Sequence, residues 1–502
     1  MSSERRPLAN REQLHNKKTP NTGPIIRQFD SMLSFRTKAF YGMGQMIWGV
    51  KDTLFHFYLI FYYQQNLGLS GTLAGAAAFS ALFFDAVSDP IMAYVSDHHH
   101  SRWGRRHPFM AFSILPFAGA IFFLFNPPDG MGQIGLFLWL ACFAILARLF
   151  VTIFIVPHMA LSAELSSDYQ ERTSVFGYRV GFGYISSIIL QGIALRFLLP
   201  EDLGGTLYTE GYGDVGLLAA TMAVAAGVAT VWGTLDRVPH LPKAPSERPP
   251  LKNIVFDVFD VFKVKNFRAF MGGSVQFSII IGVAETLIFH LLTFYYQFSS
   301  AQQSILIMII FTGLVPGYFV AQYAVRRFGK PKATVWLLII GSILGSTHPT
   351  LHLFGFLPES GSDELLITVC GIVMVNQTFI IAYLIVQGSM IGDMADEYAT
   401  ISNRRQEALF AAAQTFAQKL TFGGGALLAG IIIDIAGFTE GMQPGDVPAD
   451  TLFAFGLLIG PGLFILSMLA VVPYLFYDLD QERLAALQAS LHDAPQEQGA
   501  TS

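Results

Sequence analysis

Residues 84–108, FDAVSDPIMAYVSDHHHSRWGRRHP, place two carboxylates inside an apolar stretch and then close on a basic turn. The apolar run begins near Leu73 and reaches Val95, long enough as a helix to cross a bilayer. On such a helix Asp85 and Asp89 stand one turn apart on the same face. Two ionised carboxylates that close repel in a low dielectric, so they share a proton or hold a cation between them. Ser88 adds a hydroxyl oxygen, and the Pro90 ring leaves the Ala86 carbonyl without its helical donor. These are hard oxygen ligands suited to a small monovalent cation, with Asp85 and Asp89 as its candidate metal ligands. The plainer alternative is a pair of acids solvated in a pore or paired with basic side chains.

The surrounding composition agrees with a membrane setting. The 502 residues are 52% hydrophobic and 13% charged, with mean hydropathy +0.47. A soluble domain carries about twice that share of charge. Twelve apolar blocks separated by short polar turns lie near 39–66, 71–97, 108–126, 134–163, 174–199, 213–234, 267–298, 302–326, 331–353, 365–394, 406–437 and 450–477. A net charge of −5 argues against a nucleic-acid partner. Cys142 and Cys370 fall inside apolar blocks, so no disulfide framework is expected.

Charge in the loops orients the chain. With the N-terminus in the cytoplasm, Arg102, Arg105, Arg106, Arg172, Lys243 to Arg268, Arg326 to Lys332, Arg404 and Arg405 all fall on the cytoplasmic side. The opposite loops hold Asp129, Glu201, Asp202, Glu210, Glu359, Asp363, Glu364, Glu440 and Asp446 and no lysine or arginine, Arg196 snorkelling from a helix end. Both termini are therefore expected in the cytoplasm of a multi-pass cell membrane protein.

An internal repeat divides the chain. GVKDTLFHFYLIFYYQ at 49–64 returns as GVAETLIFHLLTFYYQ at 282–297, with Asp52 answered by Glu285, and the turn RWGR at 102–105 returns as RFGK at 327–330. Such a parallel repeat implies two six-helix bundles, here 39–235 and 267–478, facing one another across a central pathway. A polar, proline-rich linker at 236–266 joins them, and cytoplasmic tails are expected at 1–38 and 479–502.

Ionisable residues at membrane depth are costly and usually functional. Lys51, Asp52 and His56 lie in the first block, Arg148 in the fourth, Glu285 and His290 in the seventh and Lys419 in the eleventh. Counted with Asp85 and Asp89, three fixed positive charges (Lys51, Arg148, Lys419) face four negative ones (Asp52, Asp85, Asp89, Glu285). One excess negative charge is what a site for a single cation needs, although Arg179 near the end of block five would cancel it. Lys51 and Asp52, as neighbours, are expected on different sides of their helix, with Asp52 neutralising Lys419 or Arg148 as the structural alternative. Arg148 and Thr152 share a face, where Arg148 either holds an anionic solute group or pairs with a carboxylate. In the basic turn Gly104 permits a tight bend, and Arg102, Arg105 and Arg106 are placed to pair with Asp97 and cap helix ends as a cytoplasmic gate. Asp393, Asp396 and Glu397, with Arg404 and Arg405, are their expected counterpart in the second half.

YGMGQMIWGVKD, LGLSGTLAG, FDAVSDPIMAYVSD, SRWGRRHPFM, TIFIVPHMAL and QTFAQKLTFGGG resemble the glycoside–pentoside–hexuronide:cation symporters, the melibiose-permease-like branch of the major facilitator superfamily. The resemblance covers about 39–477. It implies an all-α major facilitator fold of twelve transmembrane helices, with the two bundles related by a pseudo-twofold axis. It implies Asp85 and Asp89 as coupling-cation ligands, with Ser88 and Thr152 as auxiliary oxygens. Lys51, Asp52, Arg179 and Lys419 match sugar-site positions, and Gln414 and Thr415 fall in the matching motif of block eleven. Three positions depart from the permease pattern: Ile155 and Met159 stand where a sugar-binding aspartate and a tryptophan are found, and Leu82 where an arginine is found; Arg148 is additional. The expected function is symport of a sugar-like small-molecule solute, a glycoside, pentoside or hexuronide, with Na⁺ or H⁺ by alternating access, by a monomer in the lipid bilayer, with no cofactor beyond the coupling ion. A sodium-coupled lysophospholipid carrier is the nearest alternative. A membrane enzyme is disfavoured by the lack of H-E-x-x-H, G-x-S-x-G or P-loop motifs, and a non-transporting sensor by the short tails.

Overall fold

The repeat predicts that the first and seventh helices are built alike, and they are. In the computed structural model, which describes residues 33–166, 168–241, 261–402 and 407–493, both depart from regular α-geometry at the repeated sequence. Helix α1 runs in pieces: Phe35–Met43, Gln45–Thr53, a wide i→i+5 turn over Leu54–Tyr58, Leu59–Phe61 and a second wide turn over Tyr62–Asn66. Helix α7 runs over Lys265–Thr286 and Ile288–His290 and widens over Leu291–Tyr295. Wide turns of this kind cluster at functional sites; the one at Leu54–Tyr58 carries His56 beside the membrane-depth charges, while those at Tyr62–Asn66 and Leu291–Tyr295 lie toward the acidic-loop end.

Eleven further helices are long and apolar enough to cross a membrane, α7 among them. The others are α2 Gly71–Asp97, α3 His107–Leu124, α4 Gln133–Leu165, α5 Glu171–Leu198, α6 Gly211–His240, α8 Ser300–Phe328, α9 Lys330–Leu353, α10 Asp363–Ser402, α11 Glu407–Ala436 and α12 Ala449–Tyr474. With α1 they make twelve, and no strand occurs among the described residues. Boundaries differ from expectation at several places: α1 begins at Phe35, inside the expected tail, and α6 runs to His240, into the expected linker. Helix α10 continues to Ser402 because Asp393 and Glu397 find partners at its end, and residues expected to be tail form a helix, α13, at Gln481–Asp493. The parts of the tails and linker at 1–32, 242–260 and 494–502, with Arg404 and Arg405, lie outside the described residues.

Within the first half α2 and α3 pack on α4, while α1 packs on α5 and α6; within the second, α7 packs on α11 and α12, and α8 and α9 on α10. Between halves the main contact is α2 on α11. It is close because both helices present glycine: a Cβ on Gly75 would stand 2.8 Å from the Ala426 carbonyl oxygen, and one on Gly71 2.6 Å from that of Gly430. Small residues are the usual means of bringing membrane helices together. At the acidic-loop end of this seam Asp434 of α11 accepts hydrogen bonds from the Gly71 and Thr72 amides, both 2.8 Å, and from the Ser70 hydroxyl at 2.9 Å. It thus satisfies the free N–H groups that begin α2.

More cross-half contacts gather at the same end. Gln64 donates to the Phe438 carbonyl (3.3 Å) and pairs with His290 (2.8 Å), Thr206 meets Thr293 (3.0 Å), and the Ser300 amide donates to Glu201 (2.7 Å). At the basic-loop end the polar pairs stay within each half: Lys38 with Glu171, Arg105 and Arg106 with Glu164, and Lys330 with Asp393. Among the described residues the halves are bonded to one another at the acidic end and at mid-depth.

Candidate functional site

At mid-depth the α2–α11 and α1–α7 contacts bring the charges of both halves into one network. Asp85, 2% exposed, meets Arg148 Nη1 at 3.2 Å and Lys419 Nζ at 3.1 Å. Lys419 lies closer still to Asp89, 2.5 Å from Oδ2. Thr152 Oγ1 stands 2.8 Å from Asp85 Oδ1 and 3.0 Å from Asp89 Oδ1. A hydroxyl has one hydrogen, so Thr152 serves one carboxylate at a time. The pair of acids from the first half thus receives its cation from the second, and the Lys419 ammonium sits between the carboxylates.

A second group borders the first. Lys51 is 2% exposed, and its ammonium lies 2.8 Å from Asp52 Oδ1 and 3.8 Å from the centre of the Trp48 ring. Neighbouring helical residues point apart, but the four-carbon lysine stem is long enough to fold back. Lys51 and Asp52 therefore pair with each other, where they were expected on different sides. His56 follows one turn later, with Nε2 3.5 Å from Asp52 Oδ1 and Nδ1 2.7 Å from Glu285 Oε2 of α7. Its ring also packs on Phe422 of α11, centroids 4.7 Å apart. Arg148 lies over Phe55 at 4.6 Å, and Lys419 reaches to 6.0 Å from Trp48.

Not every expected residue joins this network. The Ser88 hydroxyl donates to the Asp85 backbone carbonyl at 3.1 Å, the usual helical back-bond, and not to either carboxylate. Arg179 lies over the Phe176 ring of its own helix at 4.8 Å. Gln414 is buried and Thr415 exposed, and neither bonds to the network; one turn beyond Gln414, Gln418 donates to Ser274 at 3.2 Å. One member and one contact were missed by the sequence. Trp48 stands in the quoted motif YGMGQMIWGVKD, yet nothing in a sequence shows which tryptophan faces the charges. The contact of His56 with Glu285 joins segments more than 200 residues apart.

The basic turn forms a separate knot. Arg106 donates to Ser96 Oγ (2.7 Å), to Glu164 Oε1 (2.8 Å) and to Asp97, and Arg105 to Glu164 (2.8 Å). Gly104 has φ +75°, the left-handed conformation that suits glycine. Arg102 is exposed and lies outside the knot. Glu164 is the partner that the sequence did not supply. In the second half Gly329 has φ +74° and Lys330 holds Asp393 at 2.6 Å, so the turn is repeated with a lysine.

Two six-helix halves, related by repeat and enclosing charged side chains at mid-depth, define a major facilitator transporter. The chain belongs to the family described as MFS/sugar transport protein, which it matches over residues 40–481. Within that family it is a member of the glycoside–pentoside–hexuronide:cation symporter kind. It is 30% identical to the uncharacterized symporter sll1374 of Synechocystis sp. (strain ATCC 27184 / PCC 6803 / Kazusa) over 44% of this chain and 40% of that one. In that comparison it spans well under two thirds of the relative. It is 22% identical to the isoprimeverose transporter of Lactiplantibacillus pentosus, covering 92% and 95% of the two chains. Against sodium-dependent lysophosphatidylcholine symporter 1 of Gallus gallus it is 26% identical over 95% and 93%. The fold is shared with the xylose transporter XylE from E. coli in its inward open conformation, with TM-score 0.58, 14% identity and 91% and 99% coverage.

Proposed function

We propose that the protein couples movement of Na⁺ or H⁺ to movement of a sugar-like solute, a glycoside, pentoside or hexuronide, by alternating access. The observation that carries this is the Lys419 ammonium, 2.5 Å from Asp89 and 3.1 Å from Asp85, held between acids of the opposite half. A small monovalent cation taking that place has Asp85, Asp89 and the Thr152 hydroxyl as oxygen ligands. It releases Lys419 toward Trp48 and the space bounded by Lys51, Asp52, Arg148 and Glu285. A solute in that space finds both donors and acceptors, and the half-buried Trp48 ring offers an apolar platform for a sugar face. Met159, at the position where the permease pattern has a tryptophan, supplies no ring. Each ligand favours the arrangement the other needs, which is the coupling required for symport.

By the positive-inside rule the basic end faces the cytoplasm, with both termini there. The cross-half bonds at the acidic end then close the outer side, and the arginine knot at Glu164 acts within the inner gate. One copy encloses the whole pathway, so a monomer suffices.

An amphiphile carrier is the second reading, supported by the nearly full-length likeness to the lysophosphatidylcholine symporter. The Lys51–Asp52 and His56–Glu285 pairs favour a polar solute over it. Titrating purified protein with a panel of glycosides, pentosides, hexuronides and lysophosphatidylcholine, with and without Na⁺ and at two pH values, decides the matter. The expected result is binding of one sugar-like solute, strengthened about tenfold or more by one of the two ions, as a coupling of 1–3 kcal/mol gives. Solute binding indifferent to both ions would contradict symport, and binding confined to lysophosphatidylcholine would move the protein to the second reading.

A further inference from the structure

The network contains more acid than its fixed cations match, and the surplus is localised. Asp85 has Arg148 and Lys419, Asp89 shares Lys419, and Asp52 has Lys51. Glu285 has no lysine or arginine partner among the described residues; the group facing it is the His56 imidazole, Nδ1 2.7 Å from Oε2. Oε2 accepts no aligned hydrogen bond there, so the neutral ring does not satisfy it. The imidazole therefore stands between a carboxylate of α1 and a carboxylate of α7. The neighbouring helices add Lys51 from α1, Arg148 from α4 and Lys419 from α11, each already paired elsewhere, and Phe422, which packs on the ring.

We infer that His56, bracketed by Asp52 and Glu285, is a second cation site of this transporter, specific for a proton and separate from the Asp85–Asp89 pair. A proton on the imidazole makes four positive groups face four carboxylates and ties α1 of the first half to α7 of the second. Without it Asp52 and Glu285 repel across the seam. Side-chain exposures of 34% for Asp52, 35% for Glu285 and 18% for His56 give the proton a path to water. Imidazole is the one side chain that titrates unaided in the physiological range. The site stands whichever ion the Asp85–Asp89 pair takes.

A ligand that binds the folded state stabilises it. The test is the melting temperature of the purified full chain between about pH 5 and pH 8, with and without NaCl, for wild type, His56→Gln, Glu285→Gln and Asp89→Asn. The wild type is expected to gain several degrees on acidification beyond the change seen in His56→Gln, with Glu285→Gln losing most of the same gain while keeping the imidazole. Asp89→Asn is expected to keep it. Wild-type pH profiles in both His56→Gln and Glu285→Gln would overturn the assignment. So would a gain that Asp89→Asn alone removes, because the proton would then belong to the α2 carboxylates. Glu285→Gln preserves size and polarity and serves if His56→Gln does not fold.

Discussion

Two of the seams that join the halves, α2–α11 and α5–α8, are built from different chemistry. The α2–α11 seam runs from the Asp434 cap at the acidic end to Lys419 between Asp85 and Asp89 at mid-depth, with glycines facing backbone along the way. The α5–α8 seam is short. It joins the last turns of α5 to the start of α8, where Glu201 accepts from Ser300 and the Met308 methyl passes Gly192. Beyond it Val315, Tyr318, Phe319 and Tyr323 of α8 and Tyr184, Ile185 and Ile188 of α5 are exposed. One seam thus carries charge at mid-depth, while the other is mainly apolar, with Glu201 its one acid contact among the described residues. Helix α2 carries three aspartates, Asp85, Asp89 and Asp97, and its repeat partner α8 carries no acid at all. The duplicated scaffold supplies two related surfaces, and only one of them carries acids at mid-depth.

The largest effect should follow from emptying the charged seam of its most buried acid. Asp85→Ala leaves Arg148 and Lys419 facing a lost carboxylate, and breaking a buried pair in this way costs about 3–5 kcal/mol. Thermal unfolding of the purified variant should show the largest drop of any substitution described here, and a wild-type melting curve would mean that the network is not the core of the seam.

Glycine substitutions separate the seams more finely. A methyl group at Gly75 meets Ala426 backbone oxygen at 2.8 Å, whereas one at Gly192 meets the mobile Met308 methyl at 3.7 Å, ordinary contact. Gly75→Ala should lose about 1–3 kcal/mol by overpacking. Gly192→Ala should be neutral or gain up to about 1 kcal/mol from helix propensity. Equal effects at the two positions, read by thermal unfolding, would erase the distinction.

The caps give a smaller contrast. Asp434→Ala strips three hydrogen bonds from the start of α2 and should cost about 1–2 kcal/mol, with faster amide exchange at Gly71 and Thr72. Glu201→Ala frees a single amide, that of Ser300, and should cost no more than about 1 kcal/mol.

The smallest effect lies outside the membrane, where Asp478 after α12 meets Lys265 at 2.9 Å and Arg483 at 2.5 Å. Partial burial pushes its carboxyl upward, but the hydrogen bonds and charges of Lys265, Asn266 and Arg483 outweigh it and hold the group at about 2. A carboxyl held below its unfolded value of about 3.9 contributes stability in full above that value. The contribution is lost as pH falls toward 2. Because the cluster is exposed to solvent and salt, Asp478→Asn should change neutral-pH stability by less than about 1 kcal/mol. Comparing the acid limbs of the two unfolding profiles checks it.

The features legible in the sequence are those set by one dimension. Block length and loop charge located the twelve helices, the repeat paired α1 with α7, and the spacing of Asp85 and Asp89 placed both on one face of α2. What was hidden is set by packing. Lys51 was expected to point away from Asp52, but its stem bends back to meet it. Ser88 stands at the right place on the helix and turns its hydroxyl to its own backbone. Arg179 matches a family position yet lies over Phe176. Glu164, which holds the arginine knot, and Trp48, which faces the charges, are each unremarkable until the helices are assembled.

An exchangeable coupling cation held by Asp85 and Asp89 should show itself as ion-dependent protection against thermal unfolding. Wild type and Asp89→Asn are compared with and without Na⁺ at two pH values, since an ion bound by the folded state alone raises its stability. The expected result is a specific stabilisation, by Na⁺ or by protons, that is present in wild type and lost in Asp89→Asn. Stabilisation by both ions unchanged in Asp89→Asn would contradict it, and the aspartate pair would then be a structural anchor for Lys419.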